Sequence, residues 1–168
     1  MGRSMLNSIR EFYGDAPRIS DWLTVEQTAV DQFGESTQAE DWLHNDPDRA
    51  RIESPFGGTI AAGFWSVSLL TYFYRQTFGE EYPDGVRYAL NYGLDKVRWP
   101  APIPVGARIR NHLELVNVED RGGGRVLVTT YNRIEIEGVE KPGMIAQWRT
   151  MMVCDAGGRE RRSLPRAC

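Results

Sequence analysis

The feature that most limits the fold of this chain is the alternation of apolar and polar residues that begins at residue 86. Segments 107–120 and 126–138 alternate with a period of two and flank the glycine-rich sequence RGGGR, which predicts a long β-hairpin. Segments 86–99 and 142–153 predict two further strands, the first with a bulge or bend at Gly93. Such a sheet needs an apolar layer against one of its faces.

Residues 59–79 can supply that layer. Their apolar and aromatic side chains follow helical spacing almost all round, so they predict a central helix that is buried over most of its surface. The expected fold class is therefore α+β, in which an antiparallel sheet wraps around one long helix.

The rest of the first half predicts shorter helices. Residues 4–13 and 25–35 have helical spacing, and 24–27 (Thr-Val-Glu-Gln) has the pattern of a capping box at the start of the second helix. Residues 36–58 are polar and broken by proline and glycine, which predicts a loop. Within it, the pair Asp46–Pro47 is a cap followed by a first helical residue, and predicts one short helical turn.

Length and composition indicate one globular domain. The chain has 168 residues, so we expect a single domain over 1–153, with 1–19 as a helical lead-in. Residues 154–168 are rich in glycine and arginine and predict a disordered tail.

Several functional classes are disfavoured. A net charge of −3 gives no electrostatic basis for nucleic acid as the main partner. The apolar run 59–74 is too short and too mixed for a membrane span, and no signal-peptide pattern opens the chain. Two cysteines do not make a disulfide framework, which fits a reducing cytoplasm. The two cysteines and two histidines are scattered along the chain, so we expect no metal site. Nothing in the sequence indicates a cofactor.

Three segments carry a more specific pattern: DWLHNDPDRARIESPFGGTIAAGFWSVSLL (41–70), NYGLDKVRWPAPIPVGARIR (91–110) and EKPGMIAQWRTMMV (140–153). They resemble the MaoC-like hydratases and dehydratases, in particular the NodN-like branch with one hot-dog domain. The resemblance covers roughly residues 20–153. It implies a hot-dog homodimer that reversibly hydrates an enoyl thioester, carried on coenzyme A or a carrier protein, to an (R)-3-hydroxyacyl thioester.

The resemblance also implies a catalytic pair of an aspartate and a histidine five residues later. The histidine corresponds to His44, and histidine titrates near neutrality, as a base that activates water must. The aspartate position is Ala39, with Glu40 and Asp41 directly after it. Gly63 corresponds to the glycine whose N–H faces the thioester carbonyl, at the start of the central helix where free N–H groups favour negative charge.

The remaining candidates are positions where substrate is expected to bind. Asn91 is expected to bond the substrate or the loop that carries His44. Arg98 is expected to meet a coenzyme phosphate, Asp95 or another surface acid. Ala62 stands where related sequences often carry histidine. The full substrate-binding set is Phe56, Gly58, Ala62, Asn91, Tyr92 and Arg98. His112 lies in an alternating segment and is interpreted as a surface strand residue.

Ala39 admits three interpretations, because alanine can neither move a proton nor hold a water molecule. The natural aspartate has been replaced artificially, or Glu40 or Asp41 has taken its role, or the chain has abandoned hydration.

These lead to three functional hypotheses. The first is an enoyl-thioester hydratase or 3-hydroxyacyl-thioester dehydratase. The second is a biosynthetic enzyme of the same fold that catalyses a different dehydration, a cyclisation or an isomerisation. The third is a protein that binds an acyl thioester without catalysis.

Overall fold

The computed structural model describes residues 3–154, which form five helices and six strands. The helices are α1 (Arg3–Tyr13), α2 (Gln27–Thr37), α3 (Trp42–Asn45), α4 (Pro47–Glu53) and α5 (Gly63–Phe78). The strands are β1 (Arg18–Ile19), β2 (Leu23–Thr24), β3 (Val86–Arg98), β4 (Arg108–Asp120), β5 (Arg125–Ile136) and β6 (Met144–Cys154).

All six strands form one antiparallel sheet in the order β1-β4-β5-β6-β3, with β2 also paired to β4. The β4–β5 hairpin is the one predicted from RGGGR, and its register places Ile109 opposite Ile136 and Leu113 opposite Asn132. Strand β3 pairs only with β6 among the described strands, so it forms a free edge of the sheet.

Helix α5 lies against one face of this sheet. Its buried side chains Trp65, Leu70 and Phe73 share a core with inward-facing residues of β4, β5 and β6, among them Ile109, Ile134, Met144 and Trp148. Helix α1 covers the other end of the same face, where Ile9 and Tyr13 pack against residues of the four long strands. The predicted α+β arrangement is confirmed.

The expected irregularity at Gly93 is also confirmed. The β3–β6 register shifts between Asn91 and Gly93, as in a β-bulge. Before the shift Asn91 lies opposite Thr150, and after it Leu94 lies opposite Trp148. Residues opposite each other share a face, so the bulge brings both Asn91 and Leu94 to the face that α5 covers.

Two expectations about the central helix are wrong. It begins at Gly63 rather than at 59, because the preceding backbone pairs outside the helix: Val105 N–H donates to Thr59 O, and Ala61 N–H to Ile103 O. It is also not buried over most of its surface in the single chain, since Phe64 is 74% exposed and Tyr72 38%.

The sequence prediction for the region before α5 is confirmed only in part. The predicted turn at Pro47 is confirmed as α4, and the Asp46 side chain caps it by accepting from Arg49 N–H. The capping box is wrong: Thr24 belongs to β2, and α2 begins after Glu26 without a side-chain cap. Helix α3 was not predicted. Of the predicted tail, Cys154 ends β6 and 155–168 lie outside the described residues.

Within residues 3–154, no helix has the length and hydropathy that crossing a membrane requires.

Candidate active site

His44 lies in the short helix α3, which is held from both ends. At its start, the Asp41 side chain accepts from Leu43 N–H at 2.9 Å and caps the helix. Further along, Ile60 N–H donates to Leu43 O at 3.2 Å and ties α3 to the segment that leads into α5. The histidine is thus fixed near the N-terminal end of the central helix.

The hydrogen bond of the His44 ring determines its tautomer. Nδ1 lies 2.8 Å from Ile60 O. A carbonyl oxygen only accepts, so Nδ1 must carry the proton. In the neutral ring Nε2 then has its lone pair free, and within the described residues Nε2 has no hydrogen-bond partner. This arrangement leaves a half-buried imidazole able to take a proton from another molecule.

Gln27 holds the backbone on which His44 sits. Its Nε2 donates to His44 O at 2.7 Å and to Asp31 Oδ1 at 2.8 Å. Its Oε1 accepts from Thr59 Oγ1 at 2.5 Å. One amide therefore joins α2, α3 and the approach to α5. Sequence reasoning interpreted Gln27 as part of a helix cap and missed this role, since its partners lie 17 and 32 residues away.

The acidic candidates lie close in sequence but make no contact with the His44 ring. The backbone N–H of Ala39 bonds to Gly34 O at 3.0 Å and closes the end of α2, where the methyl side chain is exposed. Asp41 is engaged as the α3 cap. Glu40 is exposed, and no hydrogen bond or ion pair within residues 3–154 engages its carboxylate. Within the described residues, therefore, neither Glu40 nor Asp41 is hydrogen-bonded or ion-paired to the imidazole.

The start of α5 provides hydrogen-bond donors. Ala62 precedes the helix in an extended conformation and supplies no side-chain cap. The first N–H groups of an α-helix have no acceptor within the helix, so those from Gly63 onward can bind an oxygen that carries negative charge.

Trp99 explains why position 63 is a glycine. The indole Nε1 donates to Gly63 O at 3.0 Å and to Ser66 Oγ at 3.1 Å. A Cβ on residue 63 would lie 2.9 Å from Trp99 Cε2, closer than carbon atoms pack. Trp99 thus packs against the first turn of α5 in the space that a side chain at position 63 would occupy.

Replacing Gly63 with alanine is expected to destabilise the fold by about 1–3 kcal/mol, because the indole must shift and lose both hydrogen bonds. Denaturant unfolding measures the change. Gly58→Ala is the matched control, since a Cβ there meets no atom within 4 Å. Equal stability of the two variants would contradict this account of Trp99.

Phe56 and Gly58 lie together beside the His44 support. They line an open cavity of about 440 Å³ that also contacts Gln27, Thr59 and Arg51. The structure therefore places Phe56 and Gly58 in one cavity, whose lining also includes Gln27 and Thr59, two of the residues that hold His44.

The candidates on β3 lie elsewhere. Asn91 Oδ1 accepts from Trp148 Nε1 at 3.1 Å, and within the described residues Asn91 makes no bond to the His44 loop. The other alternative, a bond from Asn91 to the substrate, stays a prediction. The guanidinium of Arg149 lies 5.6 Å from the Tyr92 ring centroid. Of the alternatives for Arg98, the pairing with Asp95 is not formed: Asp95 pairs with Arg149 at 3.4 Å, and Arg98 donates to the adjacent Val97 O. The contact of Arg98 with a coenzyme phosphate stays a prediction.

His112 lies on the opposite face of the sheet from α5. Its Nε2 is 2.5 Å from Glu135 Oε2, and Arg110 also bonds that carboxylate. The Arg110 hydrogen bond, with a smaller contribution from His112, lowers the pKa of Glu135 and keeps it ionised. His112 lies in strand β4 as predicted, but its side chain is only 15% exposed against Glu135, so it is not an open surface residue.

Comparisons with known proteins agree on one family. A sequence model described as "MaoC like domain" matches residues 9–137. The chain is 45% identical over 128 residues to 3-hydroxyacyl-thioester dehydratase Z of Mycobacterium tuberculosis, covering 76% of this chain and 82% of that protein. It is 40% identical over 149 residues to nodulation protein N of Rhizobium leguminosarum bv. viciae, covering 83% and 86%.

A solved structure supports the fold. The (R)-hydratase from A. caviae involved in PHA biosynthesis superposes with a TM-score of 0.65 at 16% identity, covering 82% of this chain and 96% of that one. At that identity the likeness establishes a shared hot-dog architecture.

Proposed function

Because the chain belongs to the MaoC-like domain family, we propose that it catalyses the reversible hydration of an enoyl thioester, or in reverse the dehydration of a 3-hydroxyacyl thioester. The observation that carries this proposal is the bond from His44 Nδ1–H to Ile60 O, which leaves Nε2 as a free base near the helix start. The names of two relatives, a 3-hydroxyacyl-thioester dehydratase and an (R)-hydratase, support the reaction class.

In the proposed mechanism His44 acts on water. Nε2 removes a proton as the water oxygen bonds to the β-carbon of the enoyl group. The electron pair of the double bond shifts toward the thioester oxygen, where the Gly63 N–H stabilises the enolate-like charge. The proton on Nε2 then passes to the α-carbon, so the atoms of one water molecule are added and the imidazole is regenerated. This route needs no carboxylate and is available to a chain with Ala39.

The substrate assignment follows the same geometry. We assign the cavity beside Phe56 and Gly58 to the approach of the coenzyme A or carrier arm, since it backs onto the residues that hold His44. Arg98 and Tyr92 are exposed on β3, and Arg98 has no acidic partner within residues 3–154. It is therefore available to a phosphate of the carrier.

We propose that two copies pair through β3. This edge strand of 13 residues leaves Tyr88, Leu90, Tyr92 and Leu94 between 42% and 57% exposed. A long apolar edge strand is a template for pairing with another chain. Antiparallel pairing of β3 with its copy would continue the sheet across a two-fold axis.

Leu90→Lys is expected to shift the dimer to monomer, because two lysines would face each other near the axis of the paired edge. Sedimentation velocity measures the change. Val116→Lys is the matched control, since Val116 is also about half exposed but lies on β4, three strands away from the β3 edge. A monomeric parent protein, or loss of the dimer in both variants, would refute pairing through β3.

The test of the function is direct. The absorbance of the conjugated enoyl thioester falls as water adds, so purified protein is assayed against enoyl-CoA of several chain lengths. Loss of absorbance with formation of the 3-hydroxyacyl product is the expected result. Thioester binding without turnover would favour the non-catalytic alternative, which the lack of a carboxylate at position 39 motivates. Turnover to another product would favour the alternative biosynthetic enzyme.

A further inference from the structure

A continuous groove runs between α5 and the β3–β6 edge. Its first part, of about 320 Å³, begins at Val67, one turn after Gly63, and includes Leu94. Its second part, of about 250 Å³, continues toward the C-terminal end of α5 past Tyr74. Both parts share Thr71, Asn91 and Trp148, so they are contiguous.

Polar groups gather where the two parts meet. Asn91 and Thr150 lie opposite each other in the register, and Thr71 comes from the helix above them. Trp148 Nε1 can only donate, so the Asn91 amide must turn its oxygen toward the indole. Its Nδ2–H₂ then has no partner within the described residues. Asn91 is exposed in the single chain and lines both parts of the groove, so this amide is accessible to a molecule bound there.

Tyr74 adds a buried hydroxyl less than one turn beyond Thr71. The Tyr13 hydroxyl interacts with it, but no hydrogen bond of ordinary geometry joins it to the described residues. Burial raises the pKa of Tyr74 to about 12, and burial likewise raises the pKa of the neighbouring Tyr13, so both phenols remain protonated near neutral pH. A buried hydroxyl that lacks a well-formed hydrogen bond is able to donate to an oxygen on a bound molecule.

We call Thr71, Tyr74, Asn91 and Thr150 the polar belt of the groove. From it we infer that the acyl chain of the substrate carries a neutral hydrogen-bonding oxygen, a hydroxyl or oxo group, far from the thioester. The inference rests on the proposed function, since it takes the thioester carbonyl to lie at Gly63. Thr71 is about 12 Å further along α5 at 1.5 Å rise per residue. An extended chain advances about 1.2 Å per bond, so the substituent lies roughly eight to twelve bonds from the carbonyl.

The experiment measures affinity rather than turnover. Saturated acyl-CoA thioesters of about fourteen carbons, unsubstituted or with one hydroxyl between about carbon 8 and carbon 12, are titrated by calorimetry. At the best position the hydroxylated thioester is expected to bind about tenfold more tightly than the plain one. Asn91→Leu and Thr71→Val are each expected to remove most of that preference.

Thr77→Val is the matched control. Thr77 and Thr71 both lie on α5 and both donate to a helix carbonyl, but Thr77 is not part of the groove lining. Thr71→Val keeps the side-chain shape and serves alone if Asn91→Leu fails to fold. Equal affinity for plain and hydroxylated thioesters at every position overturns the inference, as does a preference that survives Thr71→Val.

The two proposals fail in different ways. A hydroxyl preference without any hydration of enoyl thioesters would overturn the proposed function and leave the polar belt as a binding feature. If plain and hydroxylated enoyl thioesters are hydrated with equal efficiency, the proposed function is supported and the inference of a distal oxygen on the acyl chain is overturned. No binding of either thioester would overturn both.

Discussion

The variant His44→Ala loses hydration activity by about 10²–10⁴-fold, the usual contribution of a positioned acid–base group, while its melting temperature stays close to that of the parent. The expectation follows from one contact. The ring donates through Nδ1 to Ile60 O and presents Nε2 outward, so alanine removes the base. The fold should tolerate the change, because α3 is held through Asp41, Gln27 and the backbone of Leu43.

The chain offers its own control in the other histidine. His112 lies on the opposite sheet face, where it contacts Glu135, and His112→Ala should leave turnover unchanged. The comparison uses kcat/KM for one enoyl-CoA, with circular dichroism to check the fold. If His44→Ala keeps the activity of the parent, the assignment of the base is wrong.

Ala39→Asp is expected to raise hydration at least about a hundredfold, equivalent to roughly 2.7 kcal/mol of barrier. In the proposed mechanism His44 is the one proton-transfer group, and aspartate at position 39 would add a second that orients water or delivers the proton. The backbone at position 39 is already fixed, since its N–H bonds to Gly34 O at the end of α2. A carboxylate there therefore leaves the chain in a defined direction.

Two further variants sharpen this result. Ala39→Asn carries the same side-chain shape without a carboxylate and should show no such gain. Glu40→Gln tests whether Glu40 already acts as the second proton-transfer group in the parent. If it does, Glu40→Gln has lower activity than the parent, and Ala39→Asp raises activity only slightly. If the parent and Ala39→Asp are both inert while His44 still affects binding of another ligand, the hydratase assignment is wrong and the fold serves another reaction.

Local pattern was enough to predict most of the elements. The four long strands, the hairpin at RGGGR and the bulge at Gly93 follow from alternation and turn residues that are neighbours in sequence. The cap of α4 follows in the same way from Asp46 and Pro47. The resemblance carried by 41–70 and 91–110 led to the family that the comparisons show, whereas the roles of Ala39, His44 and Gly63 remain predictions.

The errors came where a residue has distant partners. The apolar residues before α5 look helical, but 59–61 pair with the 103–105 segment and delay the helix to Gly63. Gln27 resembles a cap residue, yet its amide joins three elements.

By itself, therefore, the sequence determined the strands and the fold class, because periodicity and turn chemistry act over a few residues. The family came from the resemblance of the segments 41–70, 91–110 and 140–153. Only the tertiary structure decided which nitrogen of His44 is free, why position 63 admits no side chain, and where the Asn91 amide and the buried Tyr74 hydroxyl lie. Each of these depends on a hydrogen bond or a packing distance between residues far apart in the chain, and no local pattern encodes such a distance.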